Sequence, residues 1–299
     1  MFPIGRGVGV TEVLHGQAEI AVVTLFALLT QLGDVWFLFV LGGGLYVGGS
    51  AIPRSAVDRP RGLFVFALVV TYVVVVGTLK PMFGFPRPPG ASEAPAVGWL
   101  PPILAAVFEN ITTASSSGFP SGHALGSTMV WGGLALVLDG VRDRVRIGLA
   151  AVVVTVVATS RLVLGVHYLV DVIAGVGLGL AILAACYWLA DGGTAPGRVL
   201  VVGVVVGIVG LFVDGHPESA AAVGAAVGAW LVWYAVADAI PTLASTRREV
   251  IVGSVVLVVV GGLGGVLYVF GPSVPVAFVG AVVAGGGIVA APLVGERVA

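Results

Sequence analysis

The sequence predicts an all-α, polytopic membrane bundle of nine to ten transmembrane helices, and three observations carry that expectation. Hydrophobic residues make up 58% of the 299 and charged residues only 10%, with a mean hydropathy of +1.12. Such values lie outside those of water-soluble domains. Long apolar stretches recur along the chain, each close to the roughly 20 helical residues that cross a hydrocarbon layer of about 30 Å. The arginines, finally, fall mainly on alternate connections between those stretches.

The expected spans are 35–49, 63–79, 124–138, 147–163, 169–190, 199–213, 220–237, 250–270 and 274–294. Residues 11–31 form either a tenth span or an interfacial amphipathic helix, because the apolar run Ile20–Leu29 covers only about 15 Å as a helix and Glu12, His15 and Glu19 precede or open it. Residues 1–9 lack the basic region and apolar block of a cleavable signal. Gly42–Gly44, Gly261–Gly265 and Gly285–Gly287 are expected to let helices approach closely.

Threading the nine spans alternately puts Arg54, Arg59, Arg61, Arg142, Arg144, Arg146, Arg198, Arg247, Arg248 and Arg297 on one side. The excess of positive charge assigns that side, with the C-terminus, to the cytoplasm. Arg6 apart, the external side then keeps three permanent cations: Lys80, Arg87 and Arg161. A net charge of −1 gives no case for nucleic-acid binding. The single cysteine, Cys186, excludes an internal disulfide and a cysteine-rich metal site.

Three polar clusters lie where spans meet the external side. In Lys80-Pro-Met-Phe-Gly-Phe-Pro-Arg87-Pro88, Pro81 and Pro86 are expected to stop the helix and turn two cations toward a common point, a plausible anion clamp. In Pro120-Ser121-Gly122-His123, Ser121 is a suitable N-cap and Gly122 lets an anion approach the free N–H groups of a helix start. In Ser160-Arg161, His167 and Asp171, a helix beginning near Val166 would put the imidazole and carboxylate on one face. A carboxylate on one ring nitrogen fixes the tautomer and presents the other as a lone pair, as a histidine nucleophile requires.

Together, Lys80-x(6)-Arg87-Pro88, Pro120-Ser-Gly-His123 and Ser160-Arg161-x(5)-His167-x(3)-Asp171 resemble the tripartite signature of the type 2 phosphatidic acid phosphatase family, which shares its active site with vanadium haloperoxidases. The resemblance implies a phosphatase core over 33–192, preceded by a 1–32 segment and followed by a four-helix extension, 193–299. It implies that His167 attacks phosphorus, that Asp171 orients its ring, and that His123 protonates the leaving oxygen and then activates water. Lys80, Arg87, Arg161, the Ser121 hydroxyl and the Gly122 N–H would bind the phosphoryl oxygens, with no metal and no cofactor. The expected substrate is a membrane lipid phosphate or diphosphate.

A phosphotransferase using the same phosphohistidine is the nearest rival, and a lipid carrier or flippase coupled to the core is another. The four C-terminal spans hold few ionisable residues, so a structural or dimerising role is the expectation for them. The long 81–119 connection, rich in proline, lies on the membrane and shapes lipid entry or simply joins two spans. Asn110-Ile111-Thr112 fits the N-glycosylation acceptor pattern, and His15 and His216 read as solvated interface residues.

Overall fold

The computed structural model describes residues 6–51, 57–244 and 246–298, and among them it is helical with no strand. Arg54 lies outside the described residues. The helices are α1 (Val10–Gly16), α2 (Ile20–Leu29), α3 (Val35–Gly48), α4 (Arg59–Phe83), α5 (Pro102–Thr112), α6 (Gly122–Val137), α7 (Asp143–Val163), α8 (Leu169–Leu189), α9 (Pro196–Val213), α10 (Pro217–Val236), α11 (Arg247–Val269) and α12 (Val274–Val298).

Seven described helices, α4 and α7 to α12, are long and apolar enough to cross a membrane. The sequence pattern reaches nine because it also counts α3 and α6, whose 14 and 16 residues rise only about 21 and 24 Å. Residues 11–31 do not form one straight helix, and the bent pair they make adds an eighth candidate span if it is counted as one. The α1 helix and the segment Ile20–Gly33 are bent by 117° from each other.

The core is built around α4. Asp58 caps it by accepting from the Arg61 N–H at 2.9 Å, and Pro60 sits in the first turn, where its missing donor costs nothing. Leu63 to Val70 are buried without interruption, as suits a helix surrounded by α3, α6, α9 and α10. The crossing with α3 depends on Gly62, where an added Cβ would come within 2.7 Å of the Tyr46 Cα. Contrary to the sequence expectation, Pro81 does not stop α4, which runs through it to Phe83 and ends at Gly84 in the left-handed region (φ 59°). So near the end of the helix, proline removes one hydrogen bond and leaves few further turns to disrupt.

The C-terminal helices pack directly on this core. Gly203 and Gly210 of α9 face Thr71 and Thr78 of α4, and the Tyr46 hydroxyl donates to the Val289 carbonyl of α12 at 2.7 Å. Arg59 of α4 and Glu249 of α11, each 1% exposed, form an ion pair. Of the glycine patches, Gly42 lies against the Phe66 backbone and Gly285 against that of Ala225, as expected for close approach. Gly261, Gly262 and Gly265 do not: nothing lies within 4 Å of their missing Cβ positions, because they face away from neighbouring helices.

Charge divides between the two ends of the bundle. Arg59 with Glu249, Arg61 with Asp139, Arg146 with the Leu138 carbonyl and Arg198 with Asp191 all lie at the end where α4 and α9 begin. The three polar clusters lie at the opposite end, where α4 and α7 finish and α6 and α8 start.

Candidate active site

The first cluster is formed by the chain leaving α4. Beyond Gly84 the strand of backbone is pinned by the Gly118 N–H donating to Phe85 O at 2.8 Å, and Phe83, Phe85 and Phe119 pack with ring centroids 5.0 to 5.8 Å apart. Lys80 and Arg87 then converge as the sequence suggests. Both reach the Ser116 hydroxyl, Nζ of Lys80 at 3.4 Å and Nη2 of Arg87 at 3.3 Å. Arg87 also donates through Nε to Ser116 O at 2.6 Å and through Nη1 to Val166 O at 2.7 Å. Burial lowers its pKa to about 10, against the opposing pull of the Asp171 charge, so it stays cationic at neutral pH.

The second cluster opens α6. Ser121 is its N-cap, as expected, but its buried hydroxyl accepts from the Ala124 N–H only at 3.5 Å. Its own N–H donates to the Asp171 carbonyl at 3.0 Å, joining this cluster to the third. Gly122 sits against α4, where an added Cβ would be 3.2 Å from Val76. The adjacent His123 is 24% exposed, and its Nε2 lies 3.5 Å from Oδ2 of Asp34.

The third cluster follows α7. Arg161 is 4% exposed and donates to the Thr30 hydroxyl at 2.9 Å. The chain turns at Gly165 (φ 70°), which has one side of the His15 ring packed against it, while His15 stays exposed as expected. His15 Nδ1 also lies 3.0 Å from Val163 O, and the Thr11 hydroxyl donates to His167 O at 3.0 Å. Helix α8 begins at Leu169, not near Val166, so His167 precedes the helix and does not share a helical face with Asp171. The two meet because Asp171 folds back over the helix start: Oδ2 accepts from the Tyr168 N–H at 3.0 Å and faces His167 Nδ1 at 3.6 Å. That last separation is an ion-pair distance and too long for a hydrogen bond. Oδ1 accepts from Arg6 Nη1 at 2.7 Å.

The tautomer of His167 follows from its other neighbour. Nε2 lies 3.1 Å from Arg87 Nη1, and a guanidinium can only donate. Nε2 therefore holds a lone pair, and the ring proton sits on Nδ1, facing Asp171. Burial, then the charges of Arg87, Arg161 and Lys80, and that of protonated His123, hold the pKa of His167 well below its ordinary value. The ring is a neutral base among cations.

All eight residues singled out from the sequence thus lie in one region. Lys80, Arg87, Arg161 and His123 bear electrostatically on His167, and Ser121 and Gly122 join through the Ser121–Asp171 backbone bond. Sequence reasoning missed Asp34, Ser116, Thr30 and Arg6. Asp34 carried a readable signal, a lone acid at the edge of an apolar span. Ser116 lies among three consecutive serines with nothing to distinguish it, and Arg6 sits in a segment with no assigned structure.

Residues 62–194 match the model of the PAP2 superfamily, a segment that contains all three clusters and neither Asp34 nor Arg6. No curated protein and no solved structure matches the chain.

Proposed function

We propose, from the premise that this chain belongs to the PAP2 superfamily through residues 62–194, that it is a metal-independent phosphatase of membrane lipid phosphates or diphosphates. Members of that superfamily are phosphatases, which supports a phosphoric ester hydrolase. The observation that carries the finer reading is the contact of His167 Nε2 with Arg87, which fixes an unprotonated nitrogen beside the cation best placed to hold a phosphoryl oxygen.

In the first step Nε2 donates its lone pair to phosphorus and the bond to the lipid oxygen breaks. His123 gives that oxygen a proton, and Asp171 balances the positive charge left on the ring. In the second, water attacks phosphorus, its proton passes to His123, and the electrons of the P–N bond return to Nε2. Lys80, Arg87 and Arg161 spread positive charge over the three phosphoryl oxygens, which is the main demand of phosphoryl transfer. These side chains meet it without a metal ion. The Nδ1–Oδ2 gap of 3.6 Å closes to a hydrogen bond when the substrate is bound.

A lipid substrate is supported by the setting. The site lies at one end of an apolar bundle, next to α5, whose Ile103, Leu104 and Val107 are more than half exposed. Helix α5 then rests on the bilayer surface with the apolar face down. The arginine-rich end is cytoplasmic, the site external, and 193–299 supports a core of 33–192.

The test is phosphate release from phosphatidate, a polyprenyl diphosphate and a glycerophosphate lipid, with wild type and His167→Ala in parallel and EDTA present. Activity in wild type alone is expected; equal activity in both proteins removes the nucleophile, and loss with EDTA reversed by Mg²⁺ removes metal independence.

A further inference from the structure

Asp34 lies outside the family segment, yet the fold holds it against the site with unusual care. It follows the turn Thr30–Gly33, which is fixed from three directions. Arg161 donates to the Thr30 hydroxyl at 2.9 Å, the Trp131 indole donates to Leu32 O at 2.8 Å, and the Trp36 indole donates to the Gln31 side chain at 2.9 Å. Gly33 is wedged between α6 and α7, where an added Cβ would meet Val157 and come within 3.4 Å of His123 O. The carboxylate that emerges makes only a long cap, 3.4 Å from the Trp36 N–H to Oδ1, and turns Oδ2 toward His123 Nε2 at 3.5 Å.

His123 needs such a partner. Its surroundings are otherwise hostile to a proton: Arg161 from α7, Lys80 from α4 and His167 from the loop before α8 all bear on it, and Asp34 is the anion that opposes them. Burial first, and then Arg161, lower its pKa to about 4, while the Asp34 contact and charge act in the opposite sense. The pKa of Asp34 itself is lowered: burial would raise it, but the His123 contact and charge, the Trp36 N–H and Arg161 together outweigh that. An arriving phosphate dianion adds to what Asp34 begins.

We propose that Asp34 is the positioning residue of the general acid, holding a proton on His123 against the cations of the site so that it is available to the leaving oxygen. The proposal rests on the phosphatase reading above. In the step concerned, the P–O bond breaks, its electrons go to the lipid oxygen, and the His123 proton follows them; Asp34 stays a carboxylate and touches no reacting atom. The site then contains two carboxylate–imidazole pairs with divided labour: Asp171 serves the nucleophile and Asp34 the acid.

The experiment compares wild type, Asp34→Asn and Asp34→Glu on two substrates. Asparagine keeps the N-cap of α3, so folding is preserved. On phosphatidate, whose alkoxide must be protonated to leave, Asp34→Asn should lower kcat by about 100-fold, the scale of general acid catalysis. On p-nitrophenyl phosphate, whose phenolate leaves unaided, the loss should be only a few-fold, and Asp34→Glu should recover part of the loss on phosphatidate. Equal losses on both substrates would overturn the proposal. An NMR titration of the His123 ring gives a second reading that needs no turnover: its pKa should fall in Asp34→Asn, and an unchanged value would overturn the proposal as well. Wild type inactive on phosphatidate, a polyprenyl diphosphate and a glycerophosphate lipid alike would remove the phosphatase reading, while the titration would still decide whether Asp34 governs the His123 proton.

Discussion

Arg6 donates to Asp171 at 2.7 Å from a position 165 residues away in sequence, with its guanidinium 4.9 Å from the Phe85 ring and 5.3 Å from that of Tyr168. It takes Oδ1 and so leaves Oδ2 turned to His167. Arg6→Ala strands one oxygen of a fully buried carboxylate, a loss worth about 1–3 kcal/mol. The expected result is a fall in kcat of roughly tenfold or more with KM little changed. Steady-state kinetics checks it: a raised KM at constant kcat would mean that Arg6 binds substrate instead.

The pKa of His167, lowered first by burial and then by Arg87, makes the proposed nucleophile neutral well below pH 6.5. The acid limb of kcat/KM should therefore lie below the ordinary imidazole value of about 6.5. Arg87→Ala removes the largest of the charge contributions, so the limb should move up in pH although the rate falls. The same shift has a thermodynamic sign. The unfolded chain takes up the His167 proton more readily than the folded one, so this group's contribution to stability is intact above the unfolded pKa and is lost as pH falls below it. A pH–rate profile of both proteins decides the matter, and coincident acid limbs would count against the assignment.

Arg87 uses all three guanidinium nitrogens, on Ser116 O, Ser116 Oγ, Val166 O and His167 Nε2. A lysine keeps the charge but cannot reproduce that planar fork. Arg87→Lys should lose about 100-fold in kcat/KM, equivalent to roughly 2–3 kcal/mol. If the variant stays within about threefold of wild type, charge alone matters and the fork is dispensable.

How much of this was legible in the sequence depended on the kind of information each feature carries. The central helix, the C-terminal helices and the three clusters were readable because apolar length and residue type are local properties. Spacing alone puts the start of α8 too early, since it does not reveal that Asp171 bonds the Tyr168 N–H and caps the helix there. Pro81 looks like a stop in the sequence because its position within the last turn depends on where Gly84 adopts its left-handed conformation. Asp34 and Arg6 were missed for a different reason: their roles exist only through partners 89 and 165 positions away, His123 and Asp171.

The clamp is not idle before a substrate arrives, because Arg87 already donates to two carbonyls and a hydroxyl, all of them uncharged. A newcomer must outbid those neutral acceptors for the same donors. A monoester headgroup, carrying up to two negative charges, does so far more readily than a diester with one. Most phospholipids surrounding a protein in a bilayer are diesters, so on the proposed reading this threshold would keep the seat untaken for the scarce monoester in a crowd of near-identical headgroups.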